Sequence, residues 1–230
     1  MKTAAALALL LVANFAYSQG NLLRNPGFET VPDGSTGAGL MPSDWTAVNQ
    51  SPDTYSNDGS FGIPPSTFDN FTGITAFEGN QWVAGWSTFG EQFGQTLSIP
   101  LLPSADYQLS GYLQQAVRAD LNNPGGYDVY LSPNAGTGPS GSTFLGTLGL
   151  TAGVARGWES FAINFNTPAN ADQLPFLLFN PIADSSGSAY PGLDGLFLAQ
   201  VPEPSTWNLL FLAGLLMGAR LRVRGRIQEV

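Results

Sequence analysis

The chain has 230 residues, a net charge of −9 and neither cysteine nor histidine. Without histidine it cannot form the Ser-His and Cys-His nucleophile pairs or most transition-metal sites, so hydrolase mechanisms other than those of paired carboxylates are disfavoured. The acidic balance also excludes a protein that holds nucleic acid in a basic groove.

Residues 1–18 have the pattern of a secretory signal peptide. Lys2 supplies the positive charge, and an apolar run follows over residues 4–13. This run is too short to span a membrane. The small residues Ala16 and Ser18 predict cleavage after Ser18. We therefore expect export through the Sec pathway; the alternative is that this segment is simply the first helix of the fold.

The part between the two ends, residues 19–204, is strongly acidic. It holds sixteen of the seventeen acidic residues but only three of the eight basic ones, a balance of −13. Such a surface repels nucleic acid and anionic lipid. The length is sufficient for one domain with a core of its own, which needs no disulfide.

Residues 19–200 predict an all-β domain. With 28 glycines and 17 prolines in the chain, turn signals recur at short intervals, and no helical period persists between residues 21 and 200. Many short strands with polar connections predict a jelly-roll β-sandwich, and residues 32–70 are expected to form a long loop region. The predicted strands lie near 22–23, 81–89, 91–99, 107–117, 126–131, 143–151, 158–166, 176–180 and 193–201.

Four aromatic residues are candidates for stacking against a sugar ring: Trp45, Tyr55, Trp82 and Trp86. Trp82 and Trp86 lie four apart, so on one strand they would share a face. Trp45 and Tyr55 are flanked by polar residues in the predicted loop region, which favours exposure. The alternative for Trp82 and Trp86 is the core, because a domain of this size must bury several large aromatic residues. The alternative for Trp45 and Tyr55 is that they only hold the loop in place.

The acidic residues form no pattern typical of a catalytic site. A glycosidase needs two carboxylates about 5–10 Å apart, and no spacing in this sequence marks such a pair. We therefore predict a protein that is not an enzyme.

The C-terminal tail, residues 201–230, has three parts in a fixed order. Pro202 and Pro204 keep the first part extended. Residues 207–219 then predict a transmembrane helix that, at about 20 Å, is shorter than a stable span. Four arginines follow on alternate positions between 220 and 226, as expected on the cytoplasmic side of a membrane. The alternative, a buried core helix, would have these arginines around its whole circumference.

This tail resembles the PEP-CTERM sorting signal of exported bacterial proteins. The resemblance rests on the string Val-Pro-Glu-Pro-Ser-Thr-Trp, the short apolar helix and the basic end. It implies that Pro202, Glu203 and Pro204 are recognised by an exosortase, a membrane-embedded transpeptidase that removes the tail. It also implies a transient stay in the inner membrane and a destination at the cell surface or in a matrix rich in exopolysaccharide.

The central domain resembles galactose-binding-like and carbohydrate-binding-module jelly rolls. The residues concerned are the segments 21–29 and 193–198 at its two ends and the strand start at 107–112. The resemblance implies that the first and last strands are neighbours and that Glu29 and Asp194 bind a structural calcium ion through carboxylate oxygens. The alternative is that Glu29 caps a turn and Asp194 accepts backbone hydrogen bonds.

Two functions therefore remain open. In the first, the chain is a non-catalytic surface or matrix protein whose sandwich binds carbohydrate. In the second, it is a purely structural exported protein that binds no specific ligand. An exposed aromatic platform or a polar groove on the sandwich would favour the first.

Overall fold

The computed structural model describes residues 20–32, 36–57, 75–115, 121, 123–149, 157–184 and 187–201. Residues Gly20–Gln200 form one compact unit, and the rest of the chain is grouped as a second unit. The predicted signal peptide, the predicted helix 207–219 and the residues Pro202, Glu203 and Pro204 lie outside the described residues. Within the described ranges, no helix is sufficiently long and apolar to cross a membrane.

The described residues form eleven strands and two short 3-10 turns at Pro139–Gly141 and Ala171–Gln173. The strands are β1 (Gly37–Ala38), β2 (Thr46–Asn49), β3 (Asp53–Ser56), β4 (Gln81–Ala84), β5 (Gln92–Thr96), β6 (Asp106–Gln114), β7 (Gly125–Ser132), β8 (Thr143–Gly149), β9 (Glu159–Asn166), β10 (Phe176–Ala183) and β11 (Gly192–Gln200).

The strands make two antiparallel sheets. One has six strands in the order β1-β3-β4-β11-β6-β9, and the other has five in the order β2-β5-β10-β7-β8. The core lies between them, with Leu109 and Leu113 of β6 on one side and Val129 of β7 and Leu177 and Phe179 of β10 on the other. The predicted all-β jelly-roll sandwich is confirmed.

Successive side chains of a strand point to opposite faces of the sheet, so every second residue can face the core. In β9, Phe165 is buried and Phe161 and Ile163 pack against the core, while Ala162 and Asn164 are exposed. The strand predicted near residues 158–166 is therefore present, with every second residue toward the core. Several predicted strands were too long at one end: β4 stops at Ala84 rather than residue 89, because Gly85 closely approaches the backbone of Glu91.

The prediction that residues 32–70 form only a long loop region was wrong, because this region contains β1, β2 and β3. All four residues of β3 are buried and pair with β4. Strands of two to four residues between glycines, prolines and serines are too short to show an alternating pattern in the sequence. They form because they pair with other strands of the sheets.

The predicted strand at residues 22–23 is instead a bent segment beside the last strand. The Leu22 N–H donates to the carbonyl of Leu198 at 2.9 Å. The Asn21 side chain donates to the carbonyl of Leu196 at 2.8 Å and accepts from the Leu198 N–H at 3.0 Å. The first segment of the domain therefore lies antiparallel to β11, and the two are neighbours as the jelly-roll resemblance implied. The side chain of Asn21 makes two of the hydrogen bonds that backbone groups would make in a regular strand pair.

Candidate functional site

A row of polar side chains crosses the outer face of the five-stranded sheet. It contains one residue from each strand: Asn49 of β2, Gln92 of β5, Asn180 of β10, Asp128 of β7 and Thr147 of β8. The strand register pairs Asn49 with Gln92, Asn180 with Asp128, and Asp128 with Thr147. Gln92, Asn180, Asp128 and Thr147 each have a core residue beside them on their strand, so their side chains face outward. Asn49 is itself exposed. We call this set the polar row.

Hydrogen bonds hold the polar row in place. Gln92 Nε2 donates to Asn180 Oδ1 at 2.8 Å, and Thr147 Oγ1 donates to Asp128 Oδ1 at 2.7 Å. The Tyr130 hydroxyl lies 3.4 Å from the second carboxylate oxygen of Asp128. Gln92, Asn180 and Asp128 are half-buried, so their remaining donors and acceptors stay within reach of a molecule on the sheet.

An apolar row lies beside the polar row on the same face. Its members are Gly94, Leu178, Tyr130 and Phe144, which are paired across β5, β10, β7 and β8. The rings of Tyr130 and Phe144 meet edge to face with centroids 5.5 Å apart, and 54% of Phe144 is exposed. Leu178 is buried and Gly94 has no side chain, so the exposed part of this row lies at its Phe144 end.

Position 94 has no space for a side chain, so only glycine fits there without a shift of its neighbours. A Cβ atom there would meet the carbonyl oxygen of Leu177 and the ring of Phe176, which lies 2.6 Å from the ideal Cβ position. The ring of Phe176 therefore covers the strand where the side chain is missing. The outer face of the five-stranded sheet thus combines an aromatic pair with a line of amide, carboxylate and hydroxyl groups.

The electrostatics of the site keep Tyr130 as a hydrogen-bond donor. Partial burial raises the pKa of its hydroxyl, and the charge of Asp128 and the hydrogen bond to it raise this pKa further. The hydroxyl stays protonated at neutral pH and orients the Asp128 carboxylate. Asp128 is then a fixed acceptor on a sheet face, which suits a neutral ligand with hydroxyl groups.

The structure places Trp45 in the main core rather than on the surface, so its predicted exposure was wrong. Its ring packs against Phe28, Phe93 and Phe179 with centroids 4.9–6.0 Å away, and its Nε1 donates to the carbonyl of Asn25 at 2.9 Å. The polar residues around Trp45 in the sequence are outward neighbours on a short strand. A ligand role for Trp45 would require this core to open.

Tyr55, Trp82 and Trp86 come together in a second aromatic cluster, on the outer face of the six-stranded sheet. Tyr55 and Trp82 are stacked with centroids 4.3 Å apart, and Tyr190 and the half-buried Trp86 pack against the same cluster. Tyr55 is almost wholly buried, so its predicted exposure was also wrong. The three predicted residues do share a cluster, but on the opposite side of the sandwich from the polar row.

A buried carboxylate joins the two tyrosines of this second cluster. The hydroxyls of Tyr55 and Tyr190 lie 2.7 Å apart, and both donate to Asp53. Burial raises the pKa of each tyrosine well above its usual value, so both remain neutral donors. Tyr190 and Asp53 were not predicted. The cluster is therefore a packed layer with an internal polar network rather than an open aromatic platform.

Glu29 and Asp194 both hold the segment from Phe77 to Gln81, which crosses the six-stranded sheet. Glu29 Oε1 accepts the N–H groups of Asn80 and Gln81 at 2.8 and 2.9 Å. Asp194 Oδ2 accepts the N–H groups of Phe77 and Glu78 at 2.8 and 3.1 Å. The two carboxylates thus fasten the two ends of one segment through backbone hydrogen bonds.

This arrangement does not fit the predicted calcium site. Calcium needs oxygen atoms that are free to donate electron pairs, whereas these oxygens face N–H groups. Asp194 Oδ1 also accepts the N–H of Gly195 at 2.7 Å. Among the residues that the structure describes, no three acidic side chains are grouped as metal ligands would be. The geometry agrees with the alternative role of turn cap and backbone acceptor.

The C-terminal tail matches a known family model. The model is described as the PEP-CTERM protein-sorting motif and matches residues 200–226. The sorting signal that the sequence suggested is therefore confirmed. The match begins at Gln200, the last residue of β11. A sequence search of curated proteins finds no match.

Several solved structures are similar to this chain at low identity. A Stig cyclase from Fischerella sp. TAU is 17% identical, with 80% of this chain and 98% of that chain covered and a TM-score of 0.48. A family 16 carbohydrate-binding module is 16% identical, with 78% and 99% covered and a TM-score of 0.41. A family 61 carbohydrate-binding module in complex with β-1,4-galactotriose is 13% identical, with 80% and 100% covered and a TM-score of 0.43. Likeness at this level concerns the fold and does not transfer a function.

The stability of the domain should depend on the protonation of Asp194. Its side chain is fully buried, and this burial raises its pKa from 3.8 to about 7, although three N–H groups favour the charged form. The folded state holds the proton of Asp194 more tightly than the unfolded state, because its pKa is the higher one. The stabilisation that this proton provides is complete below the unfolded pKa and is lost as the pH rises through about 7. We expect the free energy of unfolding to fall by about 2–3 kcal/mol between about pH 5 and pH 8.

Urea unfolding at several pH values measures this effect, and the Asp194→Asn variant is the control because it does not titrate. The chain has no histidine, so few other groups change charge in this range. The variant should show a flatter pH profile. Parallel profiles for the two proteins would contradict the raised pKa.

Removal of divalent cations should leave the domain unchanged. Since Glu29 and Asp194 bind backbone N–H groups, we expect the same melting temperature in EDTA and in excess calcium. Thermal unfolding followed by near-ultraviolet circular dichroism provides the measurement. A melting temperature several degrees higher in calcium would instead support the structural ion that the jelly-roll resemblance implied.

Proposed function

We propose that this chain is the precursor of an exported protein that an exosortase processes at its C-terminal tail, and that its sandwich binds carbohydrate without catalysis. The PEP-CTERM match at residues 200–226 carries the sorting part of the proposal. The polar row and its neighbouring aromatic pair carry the binding part.

The position of the sorting motif supports its removal after folding. Every described strand lies before residue 201, and the motif begins where β11 ends. A cut near Pro202, Glu203 and Pro204 would therefore break no pairing in either sheet. The exosortase would recognise this triplet in an extended conformation that its two prolines favour.

The outer face of the five-stranded sheet supports carbohydrate binding because it combines the two features that a sugar ring needs. The ring has an apolar face of C–H groups, which the exposed side of Phe144 can cover. Its edge carries hydroxyls, which can donate to Asp128 and can bond to the free amide atoms of Gln92 and Asn180. The polar row spans all five strands, so several sugar units of one chain could lie along it.

The same face offers no catalytic pair. Asp128 is the single acidic residue of the polar row, whereas glycoside hydrolysis needs two carboxylates flanking one bond. No histidine is present to replace the second one. We therefore assign binding rather than hydrolysis to this face. The destination of such a protein would be the cell surface or a matrix rich in exopolysaccharide.

Cleavage of the tail can be tested by mass spectrometry of the mature protein. In cells with a matching exosortase we expect a C-terminus at or close to Pro204 and no peptide from the arginine-rich end at 220–226. The Glu203→Ala variant and cells without the enzyme should both retain the tail. Recovery of the full tail in the exported wild-type protein would contradict the proposal.

Carbohydrate binding can be tested with Phe144→Ala and Asp128→Asn. Each removes one interaction with a sugar, and we expect each to weaken binding by roughly tenfold, which is about 1.4 kcal/mol. Affinity electrophoresis in gels that contain matrix polysaccharide measures the effect. The matched control is Phe197→Ala, which removes an exposed aromatic ring from the other sheet.

Equal losses for Phe144→Ala and Phe197→Ala would show that the polar row is not the binding face. No retardation of the wild-type protein by any polysaccharide would favour the second function, a purely structural exported protein.

A further inference from the structure

The loop between β5 and β6 presents two bare aliphatic side chains to solvent. It covers residues 97–105, reads Leu-Ser-Ile-Pro-Leu-Leu-Pro-Ser-Ala and carries no charge. Ile99 is 63% exposed and Leu102 is 54% exposed. Single exposed apolar residues are ordinary, but two of them three positions apart on an uncharged loop form a small apolar surface.

The loop is held rigidly in this conformation. Leu97 and Leu101 are buried in the core, so they anchor the loop on either side of Ile99. The Leu102 N–H donates to the Tyr107 hydroxyl at 3.0 Å, and Thr167 Oγ1 donates to the Leu102 carbonyl at 2.6 Å. Ile99 and Leu102 therefore do not have a buried position to which they could easily return.

The loop lies at the end of the sandwich from which the tail departs. Tyr107, the second residue of β6, pairs with Gln200 at the end of β11. Val201, the next residue, is also exposed. The chain continues for 29 further residues, which include nearly all of the sorting motif. Any membrane that holds the tail is thus close to Ile99 and Leu102.

We propose that Ile99 and Leu102 insert into the lipid surface of the membrane that holds the tail, so that the precursor is docked at this end until the tail is cut. This inference rests on the proposed function, because it needs the tail to be a membrane anchor. Residues 201–206 can extend over about 20 Å at most, so the tether keeps the loop near the bilayer. Such a tether raises the effective concentration of a weak contact to the millimolar range.

The charges around the loop indicate which lipid surface it suits. Asp106 and Asp172 are exposed on neighbouring segments, and Arg24 is already paired with Asp44 at 3.3 Å. Strongly anionic headgroups would repel this end, so the contact favours zwitterionic lipid. The same contact would be lost after cleavage, because two aliphatic side chains without a tether bind a membrane only weakly.

The absence of cysteine from the sequence provides a clean experiment. The full-length Leu102→Cys chain is labelled with an environment-sensitive fluorophore and reconstituted in phosphatidylcholine vesicles that contain a nitroxide-labelled lipid. The Phe89→Cys chain is the matched control, since Phe89 is 52% exposed on the loop before β5, at the opposite end of the sandwich. Ile99→Cys provides a second position, and near-ultraviolet circular dichroism checks that each variant folds.

We expect the labels on the Leu102→Cys and Ile99→Cys chains to lose most of their fluorescence to the nitroxide lipid, and the label on the Phe89→Cys chain to lose little. Equal fluorescence at both ends, in chains that float with the vesicles, would overturn this inference alone. Quenching that rises with protein density and not with nitroxide content would show a second copy as the partner and would also overturn it. Chains that do not float with the vesicles would overturn both this inference and the proposed anchoring.

Discussion

The register of the paired strands β7 and β10 is the constraint on which the candidate site depends. Along β7, Tyr127, Val129 and Leu131 are buried in the core, so Asp128 and Tyr130 between them must face outward. A slip of one residue would put the carboxylate of Asp128 into the core and a core side chain on the surface. The cost of burying that charge keeps the register, and the register in turn aligns the polar row across five strands.

The other sheet shows how carboxylates can organise a surface through backbone hydrogen bonds. Glu29 and Asp194 come from opposite ends of the domain, yet both bind the segment between Phe77 and Gln81. Each oxygen that accepts an N–H satisfies a backbone group that would otherwise be unpaired on the sheet. Asp53 has a similar part in the second aromatic cluster, where it joins two tyrosine hydroxyls. The side that the aromatic pattern suggested for ligands is thus a packed layer of buried rings around a polar network.

The sandwich precedes the sorting motif along the chain, so the domain could fold before the tail is processed. The sandwich is complete at Gln200, its first segment lies against its last strand, and the sorting motif begins at the same residue. A tail that takes no part in the described sheets can be removed without loss of folded structure. The polar row belongs to the strands of the five-stranded sheet, so removal of the tail would leave its residues in place.

By itself, the sequence determined the features that depend on local patterns. The string from Val201 to Trp207 and the apolar and basic segments after it identified the sorting signal. Many short predicted strands and frequent turn residues identified an all-β sandwich. Tertiary structure decided what depends on pairing between distant strands. Trp45 looked exposed because its sequence neighbours are polar, yet the packing of Phe93 and Phe179 around it makes it a core residue. Asn180 and Asp128 become neighbours only through the register of β10 and β7, and no local signal could bring them together.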